Sequence, residues 1–154
     1  MSEVINWHSA RIALAEREMD ILARTIWGEA RGEGQRGMEA VAAVIINRVT
    51  FAREQPCGSF WWGNSIIRVC QKPMQFSCWN AQDANLAKLK NVDQTNPSFA
   101  MAQRIAKWAT TGSLPDATGG ADHYHALYVS PKWASGQTPT AVIGKHVFYK
   151  LMED

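Results

Sequence analysis

The sequence predicts an α+β domain that is rich in helices and ends in a small β element. Apolar residues recur at spacings of three and four through much of the first 110 residues, which is typical of amphipathic helices. Near the C-terminus, two short segments are rich in β-branched and aromatic residues, as strands are. Because the helical segments precede the strands instead of alternating with them, their order favours an α+β architecture.

The longer predicted helices follow from apolar stripes. In the first, Met19, Leu22 and Ile26 share one face, and a cluster of glycines between Gly28 and Gly37 should end or bend it. The second is apolar on almost every side, which predicts that it is buried. The predicted helices span residues 10–27, 37–49 and 97–110, with a short one near residues 64–70.

Strands are predicted at residues 123–129 and 141–149. The polar connection between them, SPKWASGQTPT, has the turn residues of a hairpin or a long loop. The chain has 154 residues and no internal repeats. This length suits a single hydrophobic core, so residues 1–154 are predicted to form one domain.

Composition and charge argue against several classes of protein. Hydrophobic residues make up 46% of the chain and charged residues 19%, which is typical of a globular protein. A net charge of +2 gives no argument for nucleic-acid binding. The longest apolar run, residues 40–46, is far shorter than the roughly 20 residues of a membrane-spanning helix. The charged N-terminus lacks the apolar core of a secretory signal. We therefore expect a chain without stable membrane association that stays in the cytoplasm of the cell that makes it.

Three cysteines and seven tryptophans leave alternatives open. Cys57, Cys70 and Cys78 are odd in number and lack a CxxC spacing, so they are free or partly paired, with a Cys70–Cys78 bridge as one option. The tryptophans include the pair Trp61–Trp62. Large amphipathic rings suit both protein cores and the floors of binding clefts.

Glu29 stands out as a candidate catalytic group. It lies three residues after Ile26 and seven after Leu22, so a continuing helix places its carboxylate on the apolar stripe. Partial desolvation raises the pKa of a carboxyl group and lets it hold a proton near neutral pH, as a general acid for glycosidic cleavage requires. The alternative is a helix-terminal glutamate paired with Arg24 or Arg31.

The other acidic residues have plainer explanations. Glu33 follows Glu29 by four residues, but an intervening glycine interrupts the shared helical face. A structural role for Glu33 in capping the next helix is favoured. Asp83, Asp93 and Asp116 lie in polar segments that are typical of solvated surface.

His123 and His125 flank Tyr124, so alternation along a strand places both imidazoles on one face. With Asp122 or His146 they form a candidate zinc site, since imidazole and carboxylate are usual zinc ligands. A pair of hydrogen-bonding side chains is the other interpretation. We favour it, because an HxH spacing alone is a weak metal signal.

The segment QFSCWN at residues 75–80 alternates aromatic and polar side chains. Such a segment either stacks on sugar rings and hydrogen-bonds their hydroxyl groups or packs against the core. Nothing nearby in the sequence supports a thiol nucleophile at Cys78, so a buried structural cysteine is favoured. The chain has no HExxH, Walker A or GxSxG motif.

The run ARTIWGEARGEGQRGMEAVAAVIINRV at residues 23–49 closely resembles the signature of the SleB-like cell-wall hydrolases. That family includes spore-cortex lytic enzymes and relatives from phages and prophages. Its signature has an aromatic residue, a Glu-Ala-Arg-Gly-Glu core and a small-residue helix that ends in Asn-Arg-Val. The segments QFSCW and GGADHYHA…PKW…IGKHVFY agree with the same family, so the resemblance covers about residues 15–149.

The resemblance implies a helix-rich fold like that of lysozymes and transglycosylases, and an enzyme that acts on the glycan strands of peptidoglycan. It implies that Glu29 is the catalytic acid/base for lytic transglycosylation of the bond between N-acetylmuramic acid and N-acetylglucosamine. In that reaction a hydroxyl group of the muramic acid closes on the anomeric carbon, and no metal or cofactor takes part. One essential carboxylate suffices, whereas a hydrolytic glycosidase uses two.

Further roles follow from the same resemblance. Ser77 is expected to orient Glu29 or the substrate. The other candidates line the sugar cleft or hydrogen-bond the glycan or the catalytic carboxyl group: Phe76, Trp79, His123, Tyr124 and His146. A bare catalytic domain with neither a leader nor an anchoring segment matches a phage or prophage endolysin. Such an enzyme is expected to be a monomer that reaches the cell wall after a holin opens the membrane.

Three alternatives stay open. A muramidase-type hydrolase would cleave the same bond with water. A zinc amidase or peptidase built on His123, His125 and His146 would lose its activity with a chelator. A non-catalytic glycan-binding module would bind the glycan equally well after Glu29→Gln and would cleave nothing.

Overall fold

The computed structural model describes residues 6–152 and confirms the helix-rich α+β architecture. In this part of the chain, five α-helices precede a three-stranded antiparallel sheet. The helices are α1 (Trp7–Ala30), α2 (Gly34–Glu54), α3 (Ile66–Gln71), α4 (Leu86–Asn91) and α5 (Pro97–Thr110). The strands are β1 (His123–Ala126), β2 (Ala141–Ile143) and β3 (His146–Tyr149). Short 3₁₀ segments lie at Arg31–Glu33, Ser77–Trp79 and Lys132–Ala134.

Helix α5 confirms the helix predicted at residues 97–110 at both ends. Its first turn is capped by Asn96, whose Oδ1 accepts hydrogen bonds from the main-chain N–H groups of Ser98 and Phe99 at 3.0 and 3.1 Å. Pro97 occupies the first helical position, where the missing N–H has no intrahelical partner to lose. Helices α1 and α2 are longer than predicted at both ends.

Helix α1 runs through Gly28 and ends within the glycine cluster, three residues later than predicted. The helix continues to Ala30, and the left-handed turn comes only at Gly34, with φ +73°. A Cβ atom at Gly28 would lie 2.8 Å from the Cβ of Cys78. Glycine at this position therefore allows α1 to approach the 3₁₀ segment Ser77–Trp79 closely. This packing outweighs the low helix propensity of glycine.

The strand predicted at residues 141–149 is two strands, β2 and β3, joined by a turn at Gly144. Gly144 has φ +57°, a left-handed conformation that interrupts a continuous strand. The strand order is β1–β3–β2, with both pairs antiparallel. In the register, Tyr124 lies opposite Phe148 and Ala126 opposite His146.

The main core lies between α1, α2, α3 and α5, and a smaller one lies between α2 and the sheet. Trp27 and Trp62 are fully buried in the main core. Ala40, Val44 and Phe148 belong to the smaller one, and Tyr124 packs against both. The predicted burial of α2 is confirmed. These contacts bring the C-terminal end of α1 next to the sheet.

The cysteines are all free in this structure: Cys57 is exposed, and Cys70 and Cys78 are buried. The Cys70–Cys78 bridge that the sequence left open is therefore not formed. No helix within residues 6–152 has the length and apolar character needed to cross a membrane.

Candidate active site

Glu29 lies in the last turn of α1, with a partly buried side chain. Burial raises the pKa of its carboxyl group from 4.5 to about 7. The thiol and the main-chain N–H of Cys78 lower this pKa, and the negative charge of Asp83 raises it. Glu29 is thus a carboxyl group that is protonated in a large fraction of molecules at neutral pH, which is the property expected from its place on the apolar stripe.

The arginines that were an alternative explanation for Glu29 are engaged elsewhere. Nε of Arg24 lies 3.0 Å from a carboxylate oxygen of Asp20, and its Nη1 donates to the carbonyl oxygen of Leu89 at 2.8 Å. The guanidinium group of Arg31 stacks over the Trp27 ring, 4.2 Å from the ring centroid. A helix-terminal ion pair therefore does not account for Glu29.

Cys78 is the residue of the 3₁₀ segment that faces Glu29. Its thiol packs against α1 at Gly28, where a Cβ atom would lie 3.1 Å from Sγ. Burial and the nearby charge of Glu29 both raise the pKa of this thiol, so it stays protonated and is no nucleophile at neutral pH. The sequence predicted Cys78 to be buried, but its neighbour Ser77 to be the residue that orients Glu29.

Tyr124 of β1 is coupled electrostatically to Glu29. Burial and the charge of Glu29 raise the pKa of the phenol well above its ordinary value, while the positive charge of Arg48 opposes the shift. The hydroxyl group therefore stays protonated and can donate a hydrogen bond at the site. Three side chains from distant parts of the chain, Glu29, Cys78 and Tyr124, are in this way brought together.

Arg48 of α2 holds β1 in place, a role that the sequence did not reveal. Its Nε donates to the main-chain carbonyl oxygen of Asp122 at 2.7 Å, directly before β1 begins. Its guanidinium group also lies over the rings of Trp62 and Phe76, at 5.3 and 5.6 Å from the centroids. Arg48 belongs to the Asn-Arg-Val end of the family signature, and this was the sequence feature that could have pointed to its role.

Asp83 lies close enough to Glu29 to influence its pKa. It is partly buried and lines a small cavity of about 70 Å³ together with Gly28, Arg31, Ser77 and Cys78. Its Oδ1 accepts a hydrogen bond from the main-chain N–H of Asn85 at 2.8 Å. The interpretation of Asp83 as solvated surface was wrong, because the polar segment around it folds back onto the end of α1.

Glu33 is structural, as predicted, but it does not cap a helix through its side chain. Its Oε2 accepts a hydrogen bond from the main-chain N–H of Lys145 at 2.9 Å. A Cβ atom at Gly144 would collide with the same oxygen. Glu33 therefore connects the segment after α1 to the turn between β2 and β3.

His146 lies beside Glu33 and Tyr124. Its Nδ1 is 3.9 Å from Oε1 of Glu33 and has no hydrogen-bond partner among the described residues. Its ring meets that of Tyr124 edge-on, with centroids 5.1 Å apart. Burial lowers the pKa of His146 more strongly than Glu33 raises it, so the imidazole is neutral at pH 7.

His123 and His125 lie on the opposite face of the sheet from His146. Both rings pack against Trp133, with centroids at 5.2 and 5.6 Å. Because His146 pairs with Ala126, its side chain lies on the Tyr124 face instead. The three histidines therefore do not converge, and residues 6–152 contain no group of three His, Cys, Asp or Glu side chains that could hold a metal ion.

Hydrogen bonds account for both histidines of the HxH pair. His123 Nδ1 lies 2.7 Å from Oδ1 of Asp122, and the carboxylate of Asp122 also accepts from the main-chain N–H groups of Leu151 and Met152. His125 Nε2 lies 3.0 Å from the hydroxyl oxygen of Tyr149. The favoured interpretation of the pair is confirmed.

The residues of QFSCWN divide between core and surface. Phe76 is 3% exposed and belongs to the main core, so its ring does not line an open cleft. Trp79 is partly buried, and its Nε1 donates to Oγ1 of Thr25 at 2.9 Å. Ser77 is exposed at the small cavity beside Cys78. For the two aromatic residues, packing is the better of the two interpretations.

The comparisons with known proteins agree with this fold. Residues 32–149 match the family model described as Cell Wall Hydrolase. A spore cortex-lytic enzyme of Bacillus cereus is 29% identical over 137 residues, which are 88% of this chain and 45% of that enzyme. The crystal structure of the catalytic domain of the Bacillus cereus SleB protein superposes with a TM-score of 0.63 at 29% identity, covering 88% of this chain and 91% of that one. The catalytic domain of the germination-specific lytic transglycosylase SleB from Bacillus anthracis gives a TM-score of 0.62 at 30% identity, covering 86% and 93%.

Two further facts about these matches bear on the site. The chain spans less than half the length of the full-length spore cortex-lytic enzyme. The family model begins three residues after Glu29, so the geometry at the end of α1 and the resemblance of residues 23–49 are what point to Glu29. The model nevertheless covers most of the chain and agrees with the fold comparison. The chain therefore belongs to the Cell Wall Hydrolase family.

Proposed function

We propose that this protein degrades peptidoglycan as a lytic transglycosylase that cleaves the bond between N-acetylmuramic acid and N-acetylglucosamine, with Glu29 as its acid/base. The observation that carries the proposal is the partly buried Glu29 carboxyl group, whose pKa is raised to about 7. A general acid works best when its pKa lies near the working pH. The Bacillus anthracis relative with the same fold is a lytic transglycosylase.

The proposed reaction needs one carboxyl group in two roles. Protonated Glu29 donates its proton to the bridging oxygen while the bond from that oxygen to the anomeric carbon of the muramic acid breaks. A hydroxyl group of the same sugar then forms a bond to the anomeric carbon. Its proton passes to the Glu29 carboxylate, which restores the acid for the next turnover. The products are an anhydromuramic end and a free N-acetylglucosamine end, and no water is consumed.

The hydrogen bond that Glu33 accepts from Lys145 supports a mechanism with one catalytic carboxylate. A hydrolytic glycosidase uses a second carboxylate as its base or nucleophile. The Glu33 carboxylate accepts a hydrogen bond from the main-chain N–H of Lys145 and adjoins the partly buried His146, which leaves it poorly suited to activate a water molecule. Neutral His146 and the protonated hydroxyl of Tyr124 are suited to hydrogen-bonding the glycan or the reacting carboxyl group.

A muramidase-type hydrolase is the second candidate, and Asp83 favours it. Asp83 is the acidic residue whose charge raises the pKa of Glu29, and it adjoins the cavity beside Cys78. Such a pair of carboxyl groups would allow Asp83 to activate water while Glu29 acts as the acid. We favour the transglycosylase because the Asp83 carboxylate already accepts a main-chain hydrogen bond from Asn85.

The cellular role is part of the proposal. We infer a monomeric endolysin that waits in the cytoplasm of the producing cell and reaches the wall after a holin permeabilises the membrane. The support is the resemblance of residues 23–49 to a family with phage and prophage members. Expression with and without a holin tests it: lysis should require the holin. Lysis without any membrane permeabilisation would overturn this role but not the activity.

Product analysis distinguishes the candidate reactions. Purified sacculi are digested with the wild-type protein and with Glu29→Gln in water enriched in ¹⁸O, and the soluble products are identified by mass spectrometry. Unlabelled anhydromuramic ends that vanish in the variant are the expected result. Labelled reducing ends that depend on Glu29 would establish the muramidase instead. Freed stem peptides, or no products at all, would overturn the proposal.

A further inference from the structure

A shallow pocket between the loop at residues 60–63 and α3 combines an exposed indole ring with two positive charges. Its volume is about 450 Å³, and its polar lining comes from Arg68, Gln71 and Lys72. Its apolar lining comes from Phe60, Trp61 and Ile67, and Trp61 is 60% exposed. None of the described residues that line the pocket is acidic. The pocket lining therefore offers an aromatic face beside two positive charges, which suits an anionic ligand with an apolar part.

Close packing holds the loop of this pocket against α3. Trp61 packs against Trp62, with ring centroids 5.7 Å apart. Gly63 has φ +106°, and a Cβ atom there would lie 3.0 Å from the main-chain carbon of Arg68. Only glycine allows the loop to approach α3 so closely. Binding at a preformed surface avoids part of the entropy cost of ordering a loop.

Trp62 connects this pocket to the strand that carries Tyr124. Its ring is fully buried, and its Nε1 donates to the main-chain carbonyl oxygen of Arg48 at 2.9 Å. On its other side the Trp62 ring lies 6.0 Å from the ring of His123, the residue before Tyr124. Through Trp62 the pocket is therefore joined to β1, on the His123 face of the sheet.

We propose that the pocket binds the carboxylate-bearing stem peptides of peptidoglycan, a proposal that rests on the proposed function. Arg68 and Lys72 contact the peptide carboxylates, and the indole ring of Trp61 packs against the apolar part of the same muramoyl peptide. Guanidinium groups recognise carboxylates through paired hydrogen bonds, and lysine adds a point charge. The pocket thus favours glycan strands that still carry their peptides.

Binding to two forms of one polymer tests this. The ligands are soluble glycan strands with intact stem peptides and the same strands after an amidase has removed the peptides. Affinity is measured with Glu29→Gln protein, so that cleavage does not interfere. Adding Arg68→Ala and Lys72→Ala together should weaken binding of the peptide-bearing strands roughly tenfold at low salt, and less at high salt. Binding of the stripped strands should stay unchanged.

The control removes two matched charges from a distant helix: Arg104→Ala and Lys107→Ala, both exposed on α5. It should leave both affinities as they were. Trp61→Ala, an exposed position whose loss should not impair folding, should weaken binding of the peptide-bearing strands as well. Equal losses for both polymers, no loss for either, or binding to anionic lipid vesicles in place of the strands would overturn the stem-peptide assignment. Because the assay measures binding alone, a failure of the proposed catalytic activity shows separately, as wild-type protein that cleaves neither polymer.

Discussion

The carboxylate of Glu33 accepts a hydrogen bond of 2.9 Å from the main-chain N–H of Lys145, which lies 112 residues further along the chain. This contact joins the segment that follows α1 to the turn between β2 and β3. Strand β3 carries His146, and the adjacent strand β1 carries Tyr124. The hydrogen bond therefore helps to hold the sheet side of the site against the end of α1, where Glu29 lies.

Gly144→Ala should break this connection. A Cβ atom at Gly144 would collide with Oε2 of Glu33, and the residue has φ +57°, which is unfavourable for alanine. We expect a loss of about 2 kcal/mol in the free energy of unfolding, measured by denaturant titration, together with reduced activity. Gly32→Ala is the matched control, since a Cβ atom there would contact nothing within 4 Å. A stability loss equal to that of the control would contradict the predicted collision.

Glu29→Gln should stabilise the protein at neutral and alkaline pH. The pKa of Glu29 is about 7 in the folded state and 4.5 ordinarily, so between these values the folded state retains a proton that the unfolded chain releases. Stability therefore falls as pH rises through this window, and the full cost is present above about pH 7. Removing the ionisable group should raise the free energy of unfolding by about 2 to 3 kcal/mol at pH 8 and change it little at pH 4.5.

Denaturant unfolding of the wild type and the variant at both pH values measures this difference. Glu16→Gln, at an exposed position on the same helix, is the control and should show no such pH dependence. If Glu29→Gln is no more stable than the wild type at pH 8, the carboxyl group is not desolvated as described.

Two substitutions of Cys78 should shift the pH profile of activity in opposite directions. The protonated form of Glu29 is the active acid, so kcat/KM should fall as pH rises through about 7. Cys78→Ala removes an interaction that lowers the pKa of Glu29 and should move this fall to higher pH. Cys78→Ser supplies a stronger hydrogen-bond donor and should move it to lower pH. If the profiles of both variants coincide with that of the wild type, the thiol has no role in setting this pKa.

A chelator should leave the activity unchanged. His146 lies on the opposite face of the sheet from His123 and His125, and Nδ1 of His123 is paired with Asp122. The assay follows release of soluble fragments from sacculi before and after EDTA treatment. Activity that disappears with EDTA and returns with Zn²⁺ would revive the amidase or peptidase alternative.

Local patterns predicted α1, α2, α3 and α5, though not the short α4, and they placed Glu29 on an apolar stripe. Apolar stripes marked the longer helices, and the spacing from Leu22 to Glu29 places a carboxyl group on one such stripe. Both features depend on residues within one or two helical turns. The division of the predicted strand at Gly144 was missed, because β-branched and aromatic residues continue on both sides of the glycine.

Contacts between distant segments were not predictable in the same way. The approach of Cys78 to Gly28, and the hydrogen bond from Lys145 to Glu33, depend on how the loops fold back onto α1. Periodicity carries no information about such pairs. For Asp83, polar neighbours suggested solvent exposure, whereas the tertiary structure placed it beside the cavity at Cys78.

A comparison of three carboxamide variants tests the central claim most directly. Glu29→Gln, Glu33→Gln and Asp83→Asn are each incubated with sacculi, and the anhydromuramic and reducing ends are quantified by mass spectrometry. We predict that Glu29→Gln loses at least about a hundredfold in the yield of anhydromuramic ends. Glu33→Gln, whose amide oxygen still accepts from Lys145, and Asp83→Asn should keep most of the wild-type activity. Substantial activity in Glu29→Gln, or an equal loss in Asp83→Asn with reducing ends as the wild-type product, would contradict a single catalytic carboxyl group at Glu29.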